Sequence, residues 1–227
     1  MPGQDLSGRT LGEFVLCERI DEGDVYRGEQ RFLKRDVVVR VLHQQPDDVA
    51  LQRFMKEAKH ELPNAAHVYS FGVYEETGLF WVATELVHGV TLDQWLATHG
   101  PMLPDQFVPF FECVAQAVQA AHDHGIVHRA LKPSKVMVLG SAGRPSPKLL
   151  GFALDQLTSS DAETGSPAAD IRALGVIAYE LLAGVPVTSD AQVPPLGGDF
   201  SADLDRVLQR ALARSPEDRL RAATIWA

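Results

Sequence analysis

The stretch His128-Arg129-Ala130-Leu131-Lys132-Pro133-Ser134-Lys135 decides the fold, and helical sequence patterns lie on both sides of it. Pro104 stands near the start of the upstream pattern and Gly125 follows its end, as is usual for these residues at helix termini. Downstream, Ile171–Ala183 is predicted to form a second, mostly buried helix that closes at Gly184. The upstream helix is predicted from apolar residues at helical spacing: Phe107, Phe110, Phe111, Val114, Val118 and Ala121.

The N-terminal part of the chain has the sequence pattern of a β-sheet. A helix is predicted within it at Asp48–His60, and a further helix is predicted near the C-terminus behind Ser201, a suitable N-cap. A small, mostly β lobe joined to a mostly helical lobe is therefore expected, with the junction near Glu85–Gly89. Short β-branched or alternating runs predict strands at Phe14–Ile20, Asp24–Glu29, Asp36–Leu42, Val68–Tyr74 and Leu79–Leu86.

Composition sets mild bounds on the class of protein. The 227 residues are 45% apolar and 22% charged, which is enough for one sizeable core or two small coupled ones. A net charge of −9 argues against nucleic acid or an anionic membrane as the main partner. Neither a signal peptide nor a membrane span is expected, because Met1–Thr10 is polar and the most apolar segment, Ile171–Val187, carries charged residues. Cys17 and Cys113 are expected to be buried thiols in a reducing compartment.

The stretch from His128 to Lys135 resembles the H-R-D-L-K-P-x-N catalytic loop of serine/threonine protein kinases. Other motifs of that family follow in order along nearly the whole chain, so the chain resembles a bacterial, eukaryotic-like (Hanks-type) serine/threonine kinase. The matching segments are the first two strands (Leu16–Arg27), strand three (Arg35–Leu42), helix αC (Arg53–Ala58), the hinge (Glu85–Leu92), the D-F-G region (Lys148–Ala153), helix αF (Asp170–Gly184) and the closing motif (Ser215–Leu220).

This resemblance implies an α+β, bilobal protein-kinase-like fold that forms a single domain over residues 1–227. A small antiparallel β N-lobe with one αC-like helix is expected at about residues 10–88, and a mostly helical, shortened C-lobe at about residues 89–227. The segment between Ala153 and Asp170 lacks the family's A-P-E motif, so the substrate-docking region is expected to be curtailed.

The same resemblance identifies the catalytic groups that this chain lacks. Ala130 replaces the aspartate that acts as catalytic base, Lys135 replaces a metal-binding asparagine, and Gly151 replaces the metal-binding aspartate of D-F-G. Arg40 stands where strand three normally supplies a lysine to the nucleotide phosphates, and its planar guanidinium does not replace a compact ammonium. The phosphate-binding turn at Ile20–Tyr26 is shortened, keeps one glycine and carries three carboxylates, which repel phosphate.

Positions that hold a kinase scaffold together are retained. His128 and Phe152 match the hydrophobic spine of the family, which packs the fold and does no chemistry. Asp170 matches the αF aspartate that accepts hydrogen bonds from the catalytic-loop backbone. Arg219 matches a C-lobe arginine whose usual partner, the glutamate of A-P-E, is missing here.

Three positions have both a structural and a binding interpretation. Arg40 is expected to form an ion pair with Glu57 of the αC-like helix in preference to binding phosphate. Thr84, at the gatekeeper position, is expected to be a small core residue, although its hydroxyl could admit a ligand. Lys132 is expected to be a surface or structural cation rather than a phosphate contact.

Two clusters of side chains are open to more than one interpretation. Structural and surface roles are favoured over a zinc site for the histidines His122, His124 and His128. The stretch Ser159–Ala169 is predicted to be a mobile loop. A hydroxyl cluster in this region is either solvated or a target for phosphorylation that would create a docking site: Thr158, Ser159, Ser160, Thr164 and Ser166.

The chain lacks the catalytic groups of the family but keeps the residues that hold the kinase fold together. This combination predicts a pseudokinase, a catalytically inactive kinase-like domain that acts as a cytoplasmic protein-interaction or regulatory scaffold. An active kinase or another cytosolic signalling protein is the expected partner. No catalytic residue, cofactor, metal ion, nucleic-acid partner or membrane segment is expected. One alternative is a sensor that binds nucleotide without metal through Arg40, Thr84, Glu85 and Lys135, and another is an atypical, weak phosphotransferase with relocated catalytic residues.

Overall fold

A computed structural model of the chain describes residues 5–21, 23–140, 144–152, 154–157, 165–187, 193–198 and 200–219. The described residues divide into two compact units. The first is formed mainly by the residues up to Glu61 and by Ala66–Val87, and the second mainly by His88–Asp155 and the residues that follow.

Six antiparallel strands form the sheet of the first unit: β1 Thr10–Leu11, β2 Phe14–Asp21, β3 Val25–Gln30, β4 Arg35–Leu42, β5 Val68–Tyr74 and β6 Leu79–Glu85. Their order across the sheet is β1-β2-β3-β4-β6-β5. Because successive side chains of a strand point to opposite faces, Val37, Val39 and Val41 of β4 all face inwards and are buried. The core on this face contains Leu6, Leu11, Phe14, Leu16, Tyr26, Val37, Val39, Val41, Tyr74, Trp81 and Ala83.

Helix α1 (Asp48–Glu57) joins β4 to β5 and packs on the sheet through one aromatic residue. The side chain of Asp47 accepts a hydrogen bond from the backbone N–H of Ala50 at 2.7 Å, which caps the first turn. Phe54 is fully buried and makes an edge-to-face contact with Phe71 of β5, with ring centroids 5.0 Å apart. This contact fixes the helix against the sheet.

The second unit is mostly helical. Its helices are α2 Leu92–His99, α3 Pro104–Asp123, α4 Pro167–Ala183 and α5 Ala202–Ala211, and a small antiparallel sheet is formed by β7 Val90–Thr91, β8 Val136–Leu139 and β9 Ser146–Leu149. The apolar residues of α3 that predicted this helix are all buried. Gly175 of α4 allows α5 to approach closely, since a Cβ at this position would lie 3.0 Å from the Cβ of Ala211. An antiparallel β unit with one helix and a mostly helical unit confirm the predicted α+β fold class.

The five predicted strands are confirmed to within one residue at each end. Helix α1 ends at Glu57 rather than at the predicted His60, and Pro63 lies shortly beyond its end. Sequence patterns missed α2 and the short strands β1, β7, β8 and β9, which are too brief to show a period.

Two predictions about individual segments are wrong. Cys17 is exposed rather than buried, because Phe14 and Leu16 take the inward positions of β2 and the register shifts after Leu16. The predicted loop Ser159–Ala169 ends too late, since Pro167 already begins α4. Residues 159–164 of that loop lie outside the described residues. None of the helices in the described part of the chain is long and apolar enough to cross a membrane.

Candidate functional site

Asp170 is the centre of a hydrogen-bond network in the second unit. The hydroxyl of Ser166 caps α4 and Pro167 occupies its first turn, which places Asp170 in that turn as well. The Asp170 side chain is almost fully buried, at 1% exposure. Its two carboxylate oxygens accept hydrogen bonds from the backbone N–H groups of His128, at 2.8 Å, and Arg129, at 2.9 Å.

His122, in the last turn of α3, supplies a third hydrogen bond to the same carboxylate. Its Nε2 donates to Oδ2 of Asp170 at 2.9 Å, because an ionised carboxylate can only accept. Arg129 has a φ of +68°, in the left-handed region that side chains other than glycine rarely adopt. The hydrogen bonds from the N–H groups of His128 and Arg129 hold the backbone of the loop in this conformation, and His122 fixes the carboxylate that accepts them.

His128 links this loop to the strand end that precedes Gly151. Its side chain is 1% exposed, its Nε2 donates a hydrogen bond to the carbonyl of Leu150 at 3.0 Å, and its ring centroid lies 4.5 Å from that of Phe152. With two ring nitrogens of the histidine cluster committed to Asp170 and Leu150, a structural role accounts for His122 and His128. These contacts place His128, Phe152 and Asp170 in one continuous network.

The positions at which the sequence departs from the family motif, Ala130, Lys135 and Gly151, lie in or next to the loop that ends in a tight turn. Residues Pro133–Lys135 form a turn of 3₁₀-helix, in which the N–H of Lys135 donates to the carbonyl of Lys132 at 2.8 Å. The carbonyl of Lys135 in turn accepts a hydrogen bond from the N–H of Leu150, at 2.8 Å, so Lys135 lies beside the residue that precedes Gly151. Ala130 is half-buried in the same loop.

These residues offer nothing that a magnesium ion prefers. Mg²⁺ is bound through carboxylate and other oxygen ligands, whereas Ala130, Lys135 and Gly151 present a methyl group, an ammonium and no side chain. Gly151 also has a φ of +93°, a backbone conformation that favours glycine. Within the described ranges, no group of three or more His, Cys, Asp or Glu side chains is arranged to hold a metal ion.

Arg219, whose usual partner in the family is the A-P-E glutamate, forms hydrogen bonds with backbone carbonyls in this chain. Its guanidinium donates to the carbonyls of Ala213 (2.7 Å), Arg214 (2.8 Å) and Ala168 (3.1 Å). Burial, and to a lesser degree the nearby positive charge of Arg172, lowers the pKa of Arg219 below its ordinary value. Through these three carbonyls the residue ties the start of α4 to the segment after α5.

Arg40 and Glu57 lie in the first unit. Arg40 of β4 is half-buried and stands between Val25 of β3 and Val82 of β6 in the register of the sheet. Glu57 is the last residue of α1. The ion pair between Arg40 and Glu57 stays a prediction.

The two hinge-side residues of β6 have ordinary sheet environments. Thr84 is half-buried and pairs with Val38 of β4. The side chain of Glu85 accepts a hydrogen bond from the N–H of His67 at 3.2 Å, so it holds the start of β5.

The shortened turn before β3 contains a buried carboxylate that sequence reasoning missed. Asp24 is 6% exposed, has a φ of +54°, forms an ion pair with Arg19 and lies in hydrogen-bond contact with Nε2 of His43. Its carbonyl also accepts a hydrogen bond from the N–H of Val41 at 3.0 Å. A charged residue in a turn normally indicates exposure, and no signal in the sequence separates Asp24 from its neighbours Asp21 and Glu22.

Most of the predicted hydroxyl cluster lies outside the described residues. Thr158, Ser159, Ser160 and Thr164 belong to that part of the chain. Ser166 is described, and its hydroxyl caps α4 by accepting a hydrogen bond from the N–H of Ala169 at 3.3 Å.

Comparison with known proteins agrees with this architecture. A match to the protein kinase domain family covers residues 21–167. The kinase domain of PknI from Mycobacterium tuberculosis has the same fold, with a TM-score of 0.74 and 28% sequence identity over 97% of this chain and 96% of that one.

Curated relatives include bacterial serine/threonine-protein kinases. Pkn3 of Myxococcus xanthus is 30% identical over 87% of this chain and 45% of its own length. PknB of Mycobacterium tuberculosis is 30% identical over 96% of this chain and 42% of its own length. The chain thus spans less than half the length of these relatives. It belongs to the protein kinase family, among the bacterial, Hanks-type serine/threonine kinases.

Proposed function

We propose that this chain is a pseudokinase, a kinase-fold domain that does not transfer phosphate and acts through interactions with other proteins. One observation carries the proposal. The catalytic loop has Ala130 and Lys135 at the positions of the catalytic base and a metal ligand, and the D-F-G region has Gly151 at the position of the other metal ligand, while Asp170 still anchors the backbone of the catalytic loop. The catalytic groups are therefore absent from these positions, whereas the hydrogen bonds that hold the loop are present.

The size of the expected loss supports inactivity. Removal of a general base alone costs about 10²- to 10⁴-fold in rate. Kinases turn over at about 1–100 s⁻¹, and phosphoryl transfer depends on metal ions and positioning more than on covalent chemistry. Losses of groups that act together are not additive. Even so, a kinase without base, metal ligands and phosphate-binding turn retains little activity.

The names of the relatives are those of kinases, so the proposal of inactivity rests on the substitutions in this chain. We assign residues 1–227 to one kinase-like domain with lobes at about 10–88 and 89–227, and place it in the cytoplasm. Its partner is an active kinase or another cytosolic signalling protein, which it would bind as a regulatory scaffold.

Two measurements on the purified protein test the proposal. Incubation with radiolabelled ATP and Mg²⁺, with a generic protein substrate, should give no transferred label above a no-enzyme control. Thermal unfolding should show no ATP-dependent shift that requires Mg²⁺. Transferred label that is lost on Arg40→Ala would establish an atypical phosphotransferase and overturn the proposal.

A metal-independent nucleotide sensor is the second candidate, and the positive charge that Arg40 keeps on β4 favours it, because a guanidinium can bind phosphate oxygens. Stabilisation by ATP in EDTA that is lost on Lys135→Glu would support the sensor over the scaffold.

A further inference from the structure

Phe32 and Leu33 are the most exposed large apolar side chains among the described residues. Phe32 is 83% exposed and Leu33 is 64% exposed. They are neighbours in the turn of residues 31–34 that joins β3 to β4, which we call the hairpin tip. Single exposed apolar side chains are common on protein surfaces, but an adjacent pair at the end of a hairpin is unusual and indicates a partner.

The pairing of the sheet explains why the hairpin tip is not covered. Gln30 and Arg35 form the last pair between β3 and β4, so residues 31–34 lie beyond the paired strands. The N–H of Arg31 donates to the carbonyl of Glu13 at 3.0 Å, which holds the base of the tip against the turn between β1 and β2. The two apolar side chains therefore lie outside the core of the first unit.

Cations stand on both sides of the apolar pair. The stretch Arg31–Arg35 has three cations and no acidic residue, in a chain whose net charge is −9. Arg31 and Lys34 are both exposed, and Nζ of Lys34 lies 2.9 Å from a carboxylate oxygen of Glu29. Because an ion pair in water contributes little free energy, Lys34 can exchange this partner for another anion.

Other charges next to the hairpin tip are used within the fold. The guanidinium of Arg35 lies over the ring of Tyr69, 3.4 Å from its centroid. The carboxylate of Glu13 is half-buried and accepts a hydrogen bond from Nε2 of Gln30 at 2.9 Å. The charges that the tip itself presents to an outside partner are therefore those of Arg31 and Lys34.

We propose that the hairpin tip inserts into the headgroup region of an anionic membrane and holds the protein reversibly at its surface. Apolar side chains enter the boundary between headgroups and acyl chains, while adjacent cations interact with anionic headgroups. The net charge of −9 opposes this contact only weakly, since charges farther than about 8 Å are largely screened at physiological salt. The inference goes beyond the protein partner proposed above and does not depend on the loss of catalysis.

The size of the hairpin tip favours a lipid surface over a protein. A stable protein interface buries about 800 Å² on each partner. An aromatic side chain buries about 150–250 Å², so Phe32 and Leu33 together supply well below the area that a protein partner needs. A fluid bilayer requires no complementary shape. The expected binding is weak and reversible, of the kind that a single lipid anchor gives.

Sedimentation with vesicles tests the proposal. The purified protein is mixed with vesicles of phosphatidylglycerol and phosphatidylcholine in equal parts, or of phosphatidylcholine alone. It should bind the anionic vesicles at least about fivefold more strongly, because the cations contribute only at a negatively charged surface. Salt at about 1 M, which shortens the Debye length to about 3 Å, should reduce this difference.

Substitutions locate the contact. The double variant Phe32→Ser, Leu33→Ser should weaken binding to anionic vesicles by at least about tenfold, because it removes the apolar surface that enters the bilayer. The double variant Arg31→Gln, Lys34→Gln should weaken it by at least about fivefold. Val108→Ser is the matched control, since it removes an exposed apolar side chain from the second unit and should leave binding unchanged. Thermal unfolding establishes that each variant is folded.

Fluorescence distinguishes insertion from adsorption. In the variant Phe32→Trp, the added indole should shift its emission to the blue with anionic vesicles and not with phosphatidylcholine alone. The signal is the difference between the spectra of this variant and of the original protein, which has three tryptophans. An unshifted spectrum with bound vesicles would contradict insertion.

Three further results would overturn the inference. They are the absence of binding to anionic vesicles, undiminished binding by the double serine variant, or an equal loss of binding with Val108→Ser. A dimer that forms with rising protein concentration and that the double serine variant lacks would assign the hairpin tip to a second copy of the chain instead. None of these results bears on the proposed function, which is tested by transfer of label from ATP.

Discussion

Asp170 anchors the backbone of the loop from His128 to Lys135 through its buried carboxylate. Its carboxylate accepts from two consecutive backbone N–H groups and from His122, and it is 1% exposed. Hydrogen bonds to a buried charged group are individually strong, since an alternative partner in water is not available. The φ of +68° at Arg129 is maintained by these bonds.

Replacement of Asp170 by asparagine should therefore destabilise the protein by about 2–4 kcal/mol, because the amide keeps only one acceptor and sets an NH₂ group against a buried N–H donor. Urea unfolding followed by circular dichroism measures the change. Asp123→Asn is the matched control: that residue is exposed and accepts from Gln119, so its replacement should cost no more than about 0.5 kcal/mol. Equal costs for the two variants would mean that the Asp170 network does not support the loop.

At the level of residues, departures from the kinase motif were visible in the sequence, whereas the hydrogen-bond partners of individual side chains were not. Ala130, Lys135 and Gly151 are visible as departures from a motif, and the structure places Lys135 and Gly151 at neighbouring backbone positions. The partners of Arg219 could not be predicted, because backbone carbonyls carry no sequence signal. The role of Asp24 was hidden for a related reason, since the burial of a charge depends on tertiary partners.

At the level of elements, the C-terminal end of α4 is fixed by two different devices. Gly184 closes the helix with a φ of +69°, and its N–H donates to the carbonyl of Glu180. The side chain of Glu180 is buried and accepts a hydrogen bond from the N–H of Val187 at 2.8 Å. Together they direct the chain out of the helix.

Substitution of Gly184 by alanine should be costly for two reasons. An L-residue at positive φ loses about 1–2 kcal/mol, and a Cβ here would also lie 2.8 Å from Cδ of Pro101. We expect a total loss of about 2–5 kcal/mol, since overpacking adds about 1–3 kcal/mol to the backbone cost of about 1–2 kcal/mol. Gly125→Ala separates the two contributions, because Gly125 has a φ of +72° but a Cβ added there would have nothing within 4 Å. Thermal unfolding should rank the Gly184 variant as the less stable, and the reverse order would rule out the Pro101 contact as a constraint.

Glu180 should make stability depend on pH in an identifiable direction. Burial raises the pKa of Glu180; the hydrogen bond from Val187 opposes this rise, while Asp93 adds to it to a smaller extent. A raised pKa in the folded state means that the folded protein holds this proton more tightly than the unfolded chain does. Its contribution to stability is therefore fully present below the ordinary glutamate pKa and is lost as the pH rises through the raised value.

Comparison with Glu180→Gln isolates this effect, because glutamine keeps a carbonyl acceptor for Val187 and does not ionise. Relative to this variant, the original protein should gain stability as the pH is lowered from 7 towards the ordinary glutamate value. Urea unfolding at a series of pH values measures the difference in free energy of unfolding. A difference that stays constant, or that grows as the pH rises, would contradict the assignment.

The limits of sequence prediction for the elements follow from their length. The five longer strands of the first unit, β2 to β6, each have six or more residues, and α3 shows its period over several turns, so these elements were predicted with nearly correct bounds. Strand β7 has two residues and β8 and β9 have four each, too few to show a pattern. These short strands form through pairing with each other, which is information from the tertiary structure.

At the scale of the whole molecule, the departures from the kinase pattern fall in both units. The second unit lacks the base and the metal ligands, and the first has a shortened phosphate-binding turn and Arg40 in place of lysine. Restoring the family residues in the second unit alone should therefore restore metal-dependent nucleotide binding but not phosphoryl transfer. Nucleotide binding with metal requires fewer correct groups than phosphoryl transfer does.

The triple variant Ala130→Asp, Lys135→Asn, Gly151→Asp tests this separation. It introduces two carboxylates and an amide, which are ligands suited to Mg²⁺, and aspartate tolerates positive φ better than most residues do at a position such as Gly151. We expect a thermal shift with ATP that requires Mg²⁺, absent from the original protein, but no transfer of radiolabel, because the first unit remains unrepaired. Asn in place of both aspartates keeps the size of the side chains and should give a much weaker metal-dependent shift, since carboxylate charge dominates Mg²⁺ binding. Transfer of label by the triple variant would mean that the first unit is competent for catalysis, and that the proposed inactivity comes from positions 130, 135 and 151 alone.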